Sequence, residues 1–157
     1  MYHFFVEPHQ IGAEEIRIEG ADVNHIRNVL RMKPGEEILI SSREGGDYFC
    51  RVEELEPEYV SAKILEEWEN KELPARIHLF QGLPKGDKME LIIQKAVELG
   101  AYRVVPVSMK RSVVKLDAKK ADAKRKRWNA VSESAAKQSK RSLIPEVAPL
   151  MTYKEAV

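Results

Sequence analysis

The stretch "QGLPKGDKMELIIQKAVELGA", Gln81 to Ala101, decides the fold. It reads as the end of a strand, a Pro/Gly loop with two lysines, and an amphipathic helix. Asp87 sits where an N-cap belongs, and Glu90 three residues later completes a capping-box pattern. Met89, Ile92, Ile93, Ala96, Val97 and Leu99 recur at helical spacing and predict a buried stripe. Gly100 fits the position just past a helix end. The flanking runs "RIHLFQGL" and "YRVVPVS" are short and apolar, as for strands covered on both faces. Strand, helix, strand predicts a right-handed parallel βαβ unit. The loop itself is not a P-loop, because Gly82 and Gly86 are too close together and Asp87-Lys88 replaces Lys-Ser/Thr. Two readings of it stay open: an ordinary βα turn, or a helix N-terminus that holds a phosphate with Lys85 and Lys88.

Downstream, a long basic helix is expected from about Asp117 to Ser139, with Trp128, Val131 and Ala135 as its apolar stripe. "IPEVAPL" predicts a third strand and "MTYKEAV" a further helix capped by Thr152. The sheet is then thin, and residues 74–157 read as part of an α/β domain. Upstream, residues 1–70 are mostly alternating apolar and polar. "YHFFV", "EEIRIEG", "EEILISS", "YFCRVEEL" and "YVSAKILEEW" predict strands, with Gly45-Gly46 as a hairpin turn. "ADVNHIRNVLRM" predicts one helix with Asp22 as cap and Val23, Ile26, Val29 and Leu30 facing inward. Short strands around one small helix suggest a compact β-barrel. The fold class is therefore a β-barrel followed by α/β.

Charge narrows the partner. The 157 residues carry a formal net charge of only +1. From Glu36 to Glu72, however, twelve acids face four bases, and from Arg103 to Arg141 thirteen bases face three acids. The second segment has the footprint of a polyanion partner, although a solvated lysine-rich face looks the same in sequence. Cys50 is the single cysteine, which excludes an internal disulfide and argues against zinc. No run approaches the roughly 20 apolar residues of a membrane span, and the N-terminus lacks a signal-peptide pattern. A cytoplasmic protein is expected, with no membrane partner and no metal.

The four histidines have no ligand spacing. His25, Arg27 and Arg31 share the polar side of the first helix and could meet phosphates, or simply solvent. Lys110 and Arg111 follow a strand end, where ligands gather in open α/β sheets. The Lys85–Lys88 loop leaves the same end.

Together "HIRNVLRMKPGE", "QGLPKGDKMELIIQKAVELGA", "RSVVK", "KRKRW" and "AAKQSKRSLIPEV" resemble the RsmE family over the whole chain. The resemblance implies a PUA-like barrel that binds RNA, at 1–70, and the first part of a knotted SPOUT methyltransferase domain, at 74–157. It implies a homodimer that transfers a methyl group from S-adenosylmethionine to N3 of a uridine in small-subunit ribosomal RNA. By the same resemblance His25, Arg27, Arg31, Lys85, Lys88, Lys110, Arg111 and Lys137 face RNA, and Arg111, Gln138 and Arg141 stand near the reacting base. A cation there would favour the deprotonated N3. Two departures matter. The family's Gly-Pro-Glu-Gly-Gly type cofactor loop is absent, so most of the cofactor site is expected outside these residues and the chain alone is expected to be inactive. Ser134 also precedes Ala135-Ala136 where the family has Glu, with Glu133 one step earlier. A non-catalytic RNA-binding module is the alternative, and an enzyme for a small phosphorylated substrate is a weaker third reading.

Overall fold

A computed structural model of the chain describes residues 1–110 and 116–157. Two compact units are present, Met1–Lys71 and Glu72–Val157.

In the first unit, strands β1 (Tyr2–Val6), β2 (Glu15–Glu19), β3 (Glu37–Ser42), β4 (Asp47–Leu55) and β5 (Tyr59–Trp68) form one sheet in the order β1-β3-β4-β5-β2. Strands β3, β4 and β5 are an antiparallel meander, and Gly45 and Gly46 take positive φ in the first hairpin. Register breaks in β4 at Phe49/Cys50 and Val52/Glu54 raise the local twist, as β-bulges do. All five strands send residues into one core: Phe4 and Val6, Ile16 and Ile18, Ile38 and Ile40, Cys50 and Val52, Val60 and Ala62. The sheet therefore curls around its contents as a half-barrel, with β1 and β2 at its rims. A buried polar chain crosses three strands, His3 Nε2 to Ser41 Oγ at 2.7 Å and Ser41 to Asp47.

The single helix of this unit departs from expectation. Helix α1 (Ala21–Asn24) starts from Gly20 at φ 76°, so Asp22 lies inside the first turn and is not the cap. From His25 to Val29 the backbone widens into a π turn, closed by Leu30 N–H donating to His25 O at 2.9 Å. The wider turn shifts the helical phase. Val23 and Ile26 stay buried, but Val29 rotates out to 61% exposure and Met32 enters the core instead. Met32 N–H closes on Ile26 O, and Arg31 between them adopts φ 52°. This is the left-handed C′ position of a helix end, usually glycine or asparagine.

The second unit is a parallel sheet with helices. Strand β6 (His78–Gly82) pairs with β7 (Arg103–Ser108), joined by helix α2 (Lys88–Glu98). Helix α3 (Ala118–Ser139) leads to β8 (Glu146–Val147), β9 (Met151–Thr152) and α4 (Tyr153–Ala156). The third strand predicted from sequence is thus interrupted. Strand β8 pairs with the start of β7 and β9 with its end, one residue out of register. Pro149 falls in the gap, where it has no N–H to offer the ladder. The Asn129 side chain on α3 both donates to Val147 O (3.1 Å) and accepts from Val147 N–H (2.9 Å), so it pairs with β8 as a strand would.

Helix α2 buries Met89, Ile93 and Val97, but Leu99 is 81% exposed, because it follows the last helical turn. Asp87 occupies the N-cap position with no side-chain cap bond: its backbone is not extended (φ −88°, ψ 9°), and Glu90 N–H donates to the Asp87 carbonyl instead, at 3.1 Å. Asp117 does cap α3, accepting from Lys120 N–H at 2.8 Å. Trp128, Ser132, Ala135 and Ala136 are the buried face of α3. Val131 is half-buried.

Candidate nucleic-acid interface

The parallel register puts the loops after β6 and β7 at one end of the sheet, with Gly82 opposite Val107. Leu83 N–H donates to Val107 O at 3.0 Å and ties the first loop to the second strand. At Gly82 an added Cβ would come within 3.1 Å of the Met109 side chain. Lys85, Lys88 and Lys110 all project from this carboxyl end and are exposed. None of the three has an ion pair among the described residues. Arg111, expected beside them, lies outside the described residues.

Six of the eleven described cations of the basic segment are spent elsewhere. Arg127 makes a two-point contact with Glu90, at 3.0 and 3.4 Å. That contact holds the Glu90 carboxyl below its usual range, mainly through the hydrogen bond, and raises Arg127. Arg103 and Arg125 share Glu146, at 3.2 and 3.1 Å. Lys126 pairs with Asp122 (3.6 Å) and Lys137 with Glu133 (3.2 Å). The linear charge count missed Glu72, Glu90 and Glu146 because they lie outside the segment they neutralise. Lys119, Lys120, Lys124 and Lys140 have no such partner among the described residues, and the first three stand on the amino-terminal half of α3.

Of the residues expected near the reacting base, Gln138 and Arg141 lie toward the C-terminal end of α3. Gln138 is exposed and lines a groove of about 300 Å³ between α2 and α3 with Gln94 and Ser134. Arg141 is largely buried, its side chain 9% exposed. Its Nε and Nη2 donate to Glu72, and its Nη1 donates to Val97 O (2.8 Å) and Ala101 O (2.9 Å). Four of the five guanidinium donors are thereby engaged within the unit. The expectation that Arg141 supplies a free cation to a base is corrected by this geometry: it closes the C-terminal end of α2. Helix α3 has 22 residues, about 33 Å at 1.5 Å per residue. Lys124, which shares a cleft with the Lys85–Lys88 loop, and Gln138 stand 14 residues apart on it, about 21 Å.

In the first unit, His25 and Arg31 are exposed and Arg27 is half-buried. His25 meets the Phe4 ring edge-on, with centroids 6.5 Å apart. Arg27 and Arg31 have no ion pair among the described residues, whereas Arg17, Arg43 and Arg51 of the same unit pair with Glu19, Glu7 and Glu37.

Sequence reasoning missed Glu72, Lys124 and the cleft at the Pro84 loop. That cleft, of about 250 Å³, is lined by Leu83, Pro84, Asp87, Met89, Lys124 and Trp128 among others. Lys124 and Trp128 are four apart on a helix and so share a face, a signal present in "KRKRW". No group of three or more metal-ligating side chains occurs among the described residues, and no helix there is long and apolar enough to cross a membrane.

Two family profiles match the chain, one described as RNA methyltransferase domain at residues 71–157 and one as RNA methyltransferase PUA domain at 18–65. A "Ribosomal RNA small subunit methyltransferase E" of Bacillus subtilis is 41% identical over 99% of the chain and 62% of its own length. A protein of the same name from Mycobacterium bovis is 32% identical over 83% of the chain and 50% of its own length. Among solved structures, a ribosomal RNA small subunit methyltransferase E from Neisseria gonorrhoeae bound to S-adenosyl methionine superposes with a TM-score of 0.85. It is 34% identical and matches over 99% of this chain and 64% of that one. A putative methyltransferase from Legionella pneumophila in complex with the same cofactor gives 0.83 at 26% identity, over 98% and 64%. The chain spans less than two thirds of the length of each of these relatives.

Proposed function

Because the chain belongs to the RNA methyltransferase family that contains the small-subunit methyltransferase E proteins, we propose that it serves S-adenosylmethionine-dependent methylation of N3 of a uridine in small-subunit ribosomal RNA. The observation that carries this reading is the set of unpaired lysines, Lys85, Lys88 and Lys110, at the carboxyl end of a parallel sheet. The paired cations of α3 do not share that property. Lys and Arg without protein partners are free to displace counterions from a phosphate backbone. Arg27 and Arg31, with His25, make the corresponding surface on the half-barrel, which on this reading is the RNA-binding domain. Lys137, tied to Glu133, contributes less. A cytoplasmic setting and a homodimeric assembly belong to the same reading.

The residues at hand do not fit the cofactor by themselves. The clefts of the second unit, about 250 and 300 Å³, lie at or below the small end of the roughly 300–1,000 Å³ typical of such ligands. The first is walled by Leu83, Pro84 and Gly86 and carries two carboxylates, and the second has no glycine in its lining. What this chain's own residues do is bind and orient RNA. Arg141 is a positioning residue here, and Arg111 is the remaining candidate for a cation beside N3.

Two measurements test the proposal. Deleting the gene in its own organism should remove N3-methyluridine from small-subunit ribosomal RNA, read by mass spectrometry of the nucleosides. Persistence of that nucleoside overturns the reaction assigned. For the chain itself, RNA affinity should fall steeply with salt. Reversing Lys85, Lys88 and Lys110 to Glu should reduce the slope by about 0.7 per contact on single strands. A slope unchanged by all three reversals overturns the assigned surface. The RNA-binding module without catalysis is favoured for these residues alone by the small clefts. Titration calorimetry with S-adenosylmethionine should then show no tight one-to-one binding by the chain.

A further inference from the structure

The cleft between the 83–87 loop and α3 has a chemistry of its own. Its floor is apolar and buried, with Met89 3% and Trp128 5% exposed. Leu83 and Pro84 form one wall and Leu116 another. Two carboxylates line it: Glu90 is hydrogen-bonded by Arg127, whereas Asp87 meets the same arginine only through space. The Asp87 carboxylate does not cap α2 and has no hydrogen bond among the described residues. Lys124 supplies a cation without an ion pair on the opposite wall, while Lys85 and Lys88 stand exposed on the loop itself.

An anion alone would meet the Asp87 carboxylate in this cleft, and a wholly apolar ligand would use neither Asp87 nor Lys124, which keep their charged ends exposed at its rim. A flat ring with polar edges satisfies all of it, with its face on the Pro84–Trp128 side, a donor toward Asp87 and its phosphates toward the lysines. Unpaired bases of single-stranded RNA are recognised in this way, splayed into small pockets and bonded on their edges. At about 250 Å³ the cleft has room for one base. Resting on the RNA-binding reading above, we propose that this cleft is a subsite for one unpaired RNA base bearing an exocyclic amine, read by the Asp87 carboxylate. Uracil has no exocyclic amine, and its one ring N–H is flanked by two carbonyl oxygens that a carboxylate repels, so the base bound here is a neighbour of the methylated uridine and not the uridine.

The test uses the whole chain with Trp68→Phe, which leaves Trp128 as its only tryptophan. Short single-stranded oligocytidylate, oligouridylate and abasic RNA of equal length are titrated at low salt, with Trp128 emission and binding anisotropy followed together. The expected result is a change in Trp128 emission with oligocytidylate only, and affinity about fivefold or more above the abasic strand, as one stacked base supplies. In Asp87→Asn, checked for native folding by circular dichroism, the preference for cytidylate over uridylate should fall below about twofold at unchanged salt slope. Equal, salt-dependent binding of all three strands with unchanged emission overturns the subsite and leaves the RNA-binding reading standing. Equal response to uridylate, or an unaltered preference in Asp87→Asn, overturns the amine readout. No binding of any strand at low salt overturns both.

Discussion

Arg141 and Glu72, 69 positions apart, form a two-point ion pair whose guanidinium also caps the carbonyls of Val97 and Ala101. One carboxylate oxygen further accepts from Ser142 N–H at 2.9 Å. The pair joins the first residue of the second unit, the end of α2 and the turn after α3. With side chains only 9% and 13% exposed, neither charge has much water to fall back on. Glu72→Gln should cost about 3–5 kcal/mol, the usual penalty for stranding one member of a buried pair. Arg141→Lys should also destabilise, because an ammonium cannot reach Glu72 and both carbonyls with a planar fork. Urea unfolding followed through Trp128, in the Trp68→Phe background, measures both.

The two aspartates before helices make a matched comparison. Asp117 accepts from Lys120 N–H and Asp87 caps nothing. Asp117→Ala should lower the stability of the second unit by about 1 kcal/mol, and Asp87→Ala should leave it within about 0.5 kcal/mol. Equal losses at the two sites would contradict the capping geometry.

Arg31 holds φ 52°, a conformation that a non-glycine residue adopts at a cost of about 1 kcal/mol or more. Arg31→Gly should therefore stabilise the half-barrel in thermal unfolding, by about 0.5–1 kcal/mol. The same substitution should weaken RNA binding and lower its salt slope by about 0.7. A variant that loses stability as well as affinity would show that the arginine is there for packing.

Burial pushes the Cys50 thiol up to about 12. The unfolded chain loses this proton near 8.5, so the half-barrel's share of stability from the neutral thiol is complete below that pH. It declines as pH rises toward 12, by about 1.4 kcal/mol per pH unit at most. Cys50→Ala should flatten this alkaline slope while lowering stability at neutral pH. Native protein at pH 8 should resist alkylation, and protein in denaturant should react at once; mass spectrometry after brief iodoacetamide exposure decides.

Periodic features were legible from the chain. The five strands of the first unit, the βαβ unit of the second, the cap at Thr152 and the burial of Trp128 all follow from local spacing. What sequence could not carry was phase and partnership. A single π turn moved Val29 outward and Met32 inward, although "VNHIRNVL" reads as a regular helix. Asp87 and Glu90 match a capping box in spacing, yet an arginine 37 residues from Glu90 takes its carboxylate. Arg141 looked like a free cation because Glu72 is remote in sequence, and the same remoteness inflated the charge of α3. That the loops after β6 and β7 leave one end of the sheet was legible too, since strand direction alone fixes where they emerge.

The order β1-β3-β4-β5-β2 has a consequence during synthesis. Strands β3, β4 and β5 can pair as they emerge, each with the one just made. The two rim strands are made first and must wait, Phe4 for Ile40 and Ile16 for Ala62. At ~5–20 residues per second that wait lasts a few seconds. For that interval "YHFFV" is a nascent, unpaired, strand-forming segment, the kind of exposed edge that chaperones shield.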